Sequence, residues 1–492
     1  MLTQTANEET RLSFWLHVRE FAVPPSMIEA ATARRLAGDW AAACTAAHID
    51  PDVDLRSLAR TRGADLAARI RADLRHLAPD LLRWHMPRIA PRGLLRPGLT
   101  ITLARYAVAD RDGGRPVHLV ARTPPAWADA GQRISLALWD GSHPEAFAPG
   151  HPHPHPDPRF RLDLHPHLWD ARRAAELRTR SGADRPPSDG DPATAPALSA
   201  TLPQGHGCAV DRWAAEAAIL LHAESRPADS AAATGPGPGP GIATATGAVA
   251  GTVAVRLGAR RWLHLDVDPG PDGIRPGPAV LRNAAASTGR HALSVLPDAA
   301  TWVLPDLELL RSGAVEVDRL HPLVAPALVP GHVPAGPSGA QAAAGQSRLV
   351  DCRGARHRIG LVDGVLVPLD HGPAEIRREE LLAALTGTPL PCLQAIDRAH
   401  RSPESLPDVR ERLRHGDITG ALAVVEGLLG ADARLRSGAL RDELEAAAQR
   451  RVTYGLFRAG LFRAGLTGPG QAAPDRRRPR ERRSHPRHVR FH

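Results

Sequence analysis

Residues 99–106 read LTITLARY. Apolar and polar side chains alternate there, the period-two pattern of a strand with one buried face. PVHLVART at 116–123 follows after AVADRDGGR, whose Asp112-Gly113-Gly114 is a hairpin turn signal. RISLALW at 133–139 reads as a third strand. This block decides the fold class, because the chain before it keeps a different period.

The first 90 or so residues are helical in pattern. In PPSMIEAATARRLAGDW (24–40), Ser26 and Glu29 have the spacing of a capping box, and Pro24-Pro25 stop any helix running through. Gly38-Asp39-Trp40 break the helix and AAACTAAHID restarts one. A third helix is expected from about Leu55 to Leu77, and Pro79 and Pro87 punctuate the apolar DLLRWHM. Beyond the strands come a helical piece from about Leu168 to Arg180 and an amphipathic helix, AVDRWAAEAAILLHAES, at 209–225. Strand patterns return in AVAGTVAVRLG, RRWLHLDVD, TWVL and AVEV. HRIGLVDGVLVPLD (357–370) reads as a hairpin on Asp363-Gly364. From Glu375 to about Leu466 the chain is helical again, with Leu422, Val425, Leu428 and Leu429 on one face.

The expected organisation is therefore α+β and multidomain, with helical ends flanking a strand-rich middle and long Pro/Gly-rich linkers. The segments are a helical domain at 1–92 and a strand-rich region with a His/Pro loop at 97–180. A linker at 181–247 carries the helix 209–225, and a second strand-rich region covers 248–330. A linker at 331–347, a hairpin with a helical domain at 348–466 and a disordered Arg-rich tail at 467–492 complete the chain. Whether the three strand-bearing segments share one sheet is open at this level.

Composition excludes whole classes of chemistry. All 62 basic side chains are arginine. A P-loop needs its lysine on the phosphates, a protein kinase its strand lysine and a PLP enzyme its Schiff-base lysine. Arginine stays protonated and replaces none of them. The net charge of +9 is concentrated at the end: 475–492 holds eight Arg against Asp475 and Glu481, a net +6, leaving +3 for the other 474 residues. The four cysteines, Cys44, Cys208, Cys352 and Cys392, are far apart, so no CxxC pair or zinc ribbon is readable. The start, MLTQTANEETRLSFWLHVREF, lacks the basic and apolar regions of a signal peptide, and no apolar run reaches the ~18 residues of a span. These features point to a soluble cytoplasmic protein with reduced thiols.

The densest concentration of metal-capable side chains is HPHPHPDP at 151–158, with six histidines between His143 and His167. In a β-like run His151, His153 and His155 share a face, and His165 and His167 form a second alternating pair. Asp157, Asp163 and Asp170 add carboxylates. Those five histidines are the candidate ligands for a divalent transition metal such as zinc, which wants three or four converging groups. A metal-dependent hydrolase built on 143–167 is the enzymatic expectation. In a polyproline form alternate residues diverge, and the stretch is only a stiff exposed loop.

Other signals are weaker. From Asp268 the calcium-loop pattern fails at position twelve, where Ala279 replaces the bidentate Glu. There is no G-x-S-x-G elbow, and GPGPGPG lacks both the spacing and the N–H donors of a phosphate cradle. GHGC sets His206 two residues from Cys208. In RRWLHLDVD, Trp262, His264, Asp266 and Asp268 alternate with Leu263, Leu265 and Val267. Trp127, displayed in the Pro-rich RTPPAWADAG, is the candidate interface residue, since tryptophan is enriched at binding hot spots. The arginines of 476–490 could contact nucleic-acid phosphates.

Two resemblances follow. The pieces RRLAGDWAAACTAA and RERLRHGDITGALAVV look like single units of tetratricopeptide-type repeats, over about 25 residues at each end and without the repeat period. SFWLHVREFAVPPSMIEAATARRLAGDW, DLRHLAPDLLRWHMPR and RRVTYGLFRAGL resemble a family of large Ala/Arg-rich proteins of actinobacterial type. That resemblance implies no fold, activity or residue role; it suggests an AAA-type ATPase as partner. The leading expectation is a non-catalytic interaction or adaptor protein with no cofactor. The runners-up are the hydrolase and a nucleic-acid-associated protein using the tail.

Overall fold

The computed structural model describes residues 2–108, 115–129, 131–141, 153, 155–184, 202, 207–225, 250–258, 261–268, 280–283, 293–333 and 348–461. The chain divides into two compact units. One is drawn from Met1–Ala126 with Arg133–Pro334 and Gly460–His492, the other from Trp127–Gln132 with Ala335–Ala459.

The first unit opens with α1 (Leu2–His17), α2 (Pro25–Leu36), α3 (Trp40–Ala46), β1 (Ile49–Pro51), α4 (Leu55–Arg62), α5 (Ala64–His76) and α6 (Pro79–His85). The expected capping box does not form: Pro24 is the N-cap of α2 and Pro25 its first residue, so Ser26 already lies inside the helix. Proline suits that position because its φ is preset and its missing N–H would have no partner there. Asp39 caps α3 instead, accepting from Ala42 N at 3.0 Å. Gly63, at φ 100°, splits the expected Leu55–Leu77 helix into α4 and α5.

The period-two block forms β2 (Thr100–Tyr106), β3 (Val117–Arg122) and β4 (Ile134–Trp139). They make an antiparallel meander, and β1 adds in parallel beside β4, giving the order β1-β4-β3-β2. Ile70, Leu74 and Leu81 from the helices share one buried core with Ile101, Leu103 and Leu119 from the sheet. Farther along, α7 (Val210–Ser225) lays Trp213, Ala217 and Leu220 against a separate sheet of β5 (Gly251–Arg256), β6 (Trp262–Val267) and β7 (Val280–Asn283). Residues 210–225 therefore belong to a folded body rather than to a linker. Leu263, Leu265 and Val267 are buried while Trp262, His264 and Asp266 alternate outward. AVEV is not a strand; α8 (Pro305–Arg311) precedes it, started by Pro305 with Asp306 and Glu308 in the first turn.

The second unit begins with β8 (Arg348–Cys352), β9 (Ala355–Val362) and β10 (Val365–Pro368), a three-stranded antiparallel meander. Five helices follow: α9 (Pro373–Thr386), α10 (Pro391–Arg401), α11 (Leu406–His415), α12 (Ile418–Leu429) and α13 (Ala439–Arg458). Cys352, Ile359 and Leu366 from the sheet share a core with Cys392, Ile396, Val409, Ala421 and Leu440. α12 starts as α3 does. Asp417 caps it, accepting from Gly420 N at 2.8 Å, after Gly416 at φ 87°. A side chain at Gly416 would also meet the Gly131 carbonyl oxygen at 2.1 Å, so this turn requires glycine twice over. The architecture is α+β, with helices at both ends and four separate sheets among the described residues, the smallest a two-stranded pairing of Arg88–Ile89 with Leu94–Leu95. No helix among the described residues is long and apolar enough to cross a membrane.

Candidate metal centre

Four side chains of the second unit converge: Cys352, His357, His371 and Cys392. One ligand atom from each lies within 4.8 Å of all the others. They sit at the end of β8, on β9, just after β10 and in the first turn of α10.

The local sequence explains the meeting. Arg353 (φ 55°) and Gly354 (φ 78°) form a two-residue turn between β8 and β9, and both central residues of such a turn need positive φ. The register then pairs Val350 with His357 and Cys352 with Ala355. Strand side chains alternate, so Val350, Cys352, His357 and Ile359 face inward, with Cys352 diagonal to His357. Outward lie Leu349, Asp351, Arg356 and Arg358, all exposed. A second tight turn at Asp363 (φ 49°) and Gly364 (φ 72°) brings β10 back along β9. Leu369 N donates to Arg358 O at 2.8 Å, and Arg358 N donates to Asp370 Oδ2 at 2.7 Å. These bonds carry the chain past β10 and set His371 beside His357. Cys392 is the second residue of α10, after Pro391. The positive end of a helix favours a thiolate there.

The geometry suits a tetrahedral ion. His357 Nδ1 and His371 Nε2 are 2.7 Å apart, sharing one hydrogen bond. Zinc bonds of about 2.0 Å to nitrogen and 2.3 Å to sulfur put ligand atoms roughly 3.3–3.8 Å from one another. Small ring and rotamer adjustments reach that spacing from the present one. Cys352 and Cys392 are fully buried, His371 is buried and His357 is half-buried. Burial pushes the Cys392 thiol up to about 12, helped by its hydrogen bond to Cys352. The thiol is thus protonated until a metal displaces the proton. Two thiolates and two neutral imidazoles cancel a divalent charge and select a borderline-soft metal over calcium or magnesium. Four protein ligands leave no open position, the arrangement of a structural site rather than a catalytic one.

Surrounding groups orient the donors. Glu375 Oε1 lies 3.3 Å from His371 Nδ1, the nitrogen turned away from the centre. That contact holds the Glu375 carboxyl below its usual range and fixes which imidazole nitrogen faces inward. Arg353, in the first turn, donates to Glu379 of α9 at 2.7 Å.

Among the described residues, the histidines singled out by sequence density do not converge on one point, though the rings of His165 and His167 meet edge-on with centroids 5.7 Å apart. His151 lies outside the described residues; His153 and His155 are exposed. His165 and His167 are each 2 % exposed, but they face inward among charged side chains. His165 Nδ1 sits 3.0 Å from Arg161 O and its Nε2 3.3 Å from Glu216 Oε2. Glu216 is also bound by Arg180, at 2.7 and 2.6 Å. Burial raises the Glu216 carboxyl, yet the bonds from His165 and Arg180 outweigh it and hold the group at about 2. His167 is pushed well below the ordinary histidine value, first by burial and then by Arg180. The nearby carboxylates are taken as well: Asp157 by Arg159, Asp163 by Arg161 and Asp170 by Arg172. Among the described residues, His153, His155, His165 and His167 belong to no group of three or more metal-capable side chains. The arginine tail 476–490, His206 and the turn 269–279 lie outside the described residues. Trp127 is half-exposed and packs edge-on to Phe457, ring centroids 5.4 Å apart.

No family model matches the chain, and no curated protein or solved structure is significantly similar to it.

Proposed function

We propose that this chain is a zinc-binding cytoplasmic interaction protein whose metal organises the second unit and performs no catalysis. The observation that supports this reading is the convergence of two cysteines and two histidines from four separate elements, with every ligand position filled by protein. Exposed leucines on α9, Leu381 at 65 % and Leu385 at 83 %, support a role in contacting partners. An AAA-type ATPase is the first partner to seek, by co-purification at moderate salt.

Metal analysis of the untagged chain tests the reading. It should carry about one zinc per chain, and Cys392→Ser and His371→Ala should each lose most of it. Wild-type protein with less than a tenth of a zinc, nickel or copper per chain would refute it.

A further inference from the structure

We infer that the centre is redox-released: a small peroxide joins Cys352 to Cys392, expels the metal and frees α9 at its His371 end. The inference rests on the metal reading above and adds how the site is emptied. Three observations carry it.

First, the two thiols already lie close: Sγ of Cys352 and Sγ of Cys392 are within 4.8 Å of one another. They come from a strand end and a helix start that share one core. A disulfide between them closes the same 41-residue span, 352–392, that the metal closes. Second, the choice of partner is fixed. Cys44 and Cys208 lie in the first unit, Cys44 in its main core and Cys208 beside Trp302, and neither belongs to the cluster. Third, what the metal holds is specific. His371 lies two residues before α9 and is tied to it through Glu375, and Arg353 reaches Glu379 on the same helix. Leu381, Leu382 and Leu385 of α9 remain exposed.

The chemistry balances. One metal-bound thiolate attacks the O–O bond of hydrogen peroxide, giving a sulfenic acid and hydroxide, which is protonated to water. The second thiolate attacks the sulfenic sulfur; the S–S bond forms and the second oxygen leaves as water. Two thiolates, one peroxide and two protons become one disulfide and two waters. Each sulfur loses one electron, and the peroxide takes both. The ion is left with two neutral imidazoles and no anionic donor, too few to retain it. Both sulfurs are fully buried, which selects a water-sized oxidant over a protein disulfide or glutathione disulfide.

The test uses the full zinc-loaded chain and a chromophoric chelator that reads only released metal. Hydrogen peroxide should release one zinc for every two thiols lost, and peptide mapping should find Cys352 joined to Cys392. Limited proteolysis should then cut within 372–390, and reductant with added zinc should reverse all three changes. Oxidised glutathione should release far less in the same time. Cys208→Ser should behave as wild type. Cys352→His, which keeps four donors but one sulfur, should retain zinc in peroxide. Zinc that stays bound while peroxide is consumed overturns the inference alone. So does release accompanied by sulfinic acid and no Cys352–Cys392 disulfide. A chain that never held zinc overturns the metal reading and this inference together.

Discussion

Two regions of this molecule carry clustered histidines, and they behave in opposite ways. Residues 151–167 concentrate five histidines in a short, proline-spaced run. Residues 352–392 spread two histidines and two cysteines over more than twice that length. The described histidines of the dense run do not converge: His153 and His155 are exposed, the latter edge-on to Trp139, while His165 and His167 are buried beside an arginine–glutamate pair. The sparse set converges, because two tight turns and a helix start aim its side chains at one point. Convergence is a property of register and turn geometry, and local density along the chain carries little information about it.

The largest expected effect separates the regions by metal. Chelation, or Cys392→Ser, should destabilise the second unit by about 4 kcal/mol relative to protein at free zinc 1,000-fold above Kd. Hydrogen exchange should accelerate across 348–429 and stay unchanged in the β1-β4-β3-β2 sheet of the first unit. Equal acceleration in both would break the comparison.

The next effect lies in the other region. Removing His165 leaves the buried Glu216 without one of its partners. His165→Ala should cost about 1–3 kcal/mol in denaturant unfolding while zinc content stays the same. Loss of zinc in that variant would move the metal to the His-rich region.

Acid should weaken the first unit. Burial lowers His85 to about 3 and His118 to about 4. Their folded values lie below the unfolded value near 6.5, so the unfolded chain binds more protons as pH falls. Stability should therefore drop from about pH 6.5 downward, by roughly 1.4 kcal/mol per pH unit for each histidine. Glu216, held at about 2, adds a further loss as pH falls below its unfolded value near 4.5. Asp298 acts oppositely: burial raises it to about 6, so it gives back stability as pH falls from there to its unfolded value near 3.8. Thermal melts between pH 7 and 4 should show a net fall; a flat profile would contradict the buried, neutral state of these histidines.

The smallest effect is the sharpest contrast. His153→Ala and His155→Ala should change unfolding free energy by no more than about 0.5 kcal/mol, because both side chains are exposed. Neither should alter bound metal.

Much of the fold was legible. Helices at both ends follow from apolar spacing, and the β2–β4 meander follows from period-two alternation, while the turn signal at 112–114 lies outside the described residues. The Gly-Asp pairs at 38–39 and 416–417 also carry the same meaning in sequence and structure. Each glycine has positive φ, and each aspartate caps the next helix. Ser26 misled because Pro25 competed for the first helical position and won. The centre itself was not read. Its cysteines are 40 positions apart, and neighbouring-cysteine motifs are blind to that spacing. A signal existed in DCRGARH, where Arg353-Gly354 marks a turn with Cys352 and His357 on either side. Pairing across that turn places both on one face, and the Asp363-Gly364 turn then returns the chain toward His371. The approach of Cys392 depends on how α10 packs, which local sequence does not specify.

The most direct measurement is X-ray absorption at the zinc edge of the full chain purified under reducing conditions. The expected result is two sulfurs at about 2.3 Å and two nitrogens at about 2.0 Å from the metal. A shell made only of nitrogen and oxygen would contradict the assignment, because the ion would then sit away from Cys352 and Cys392.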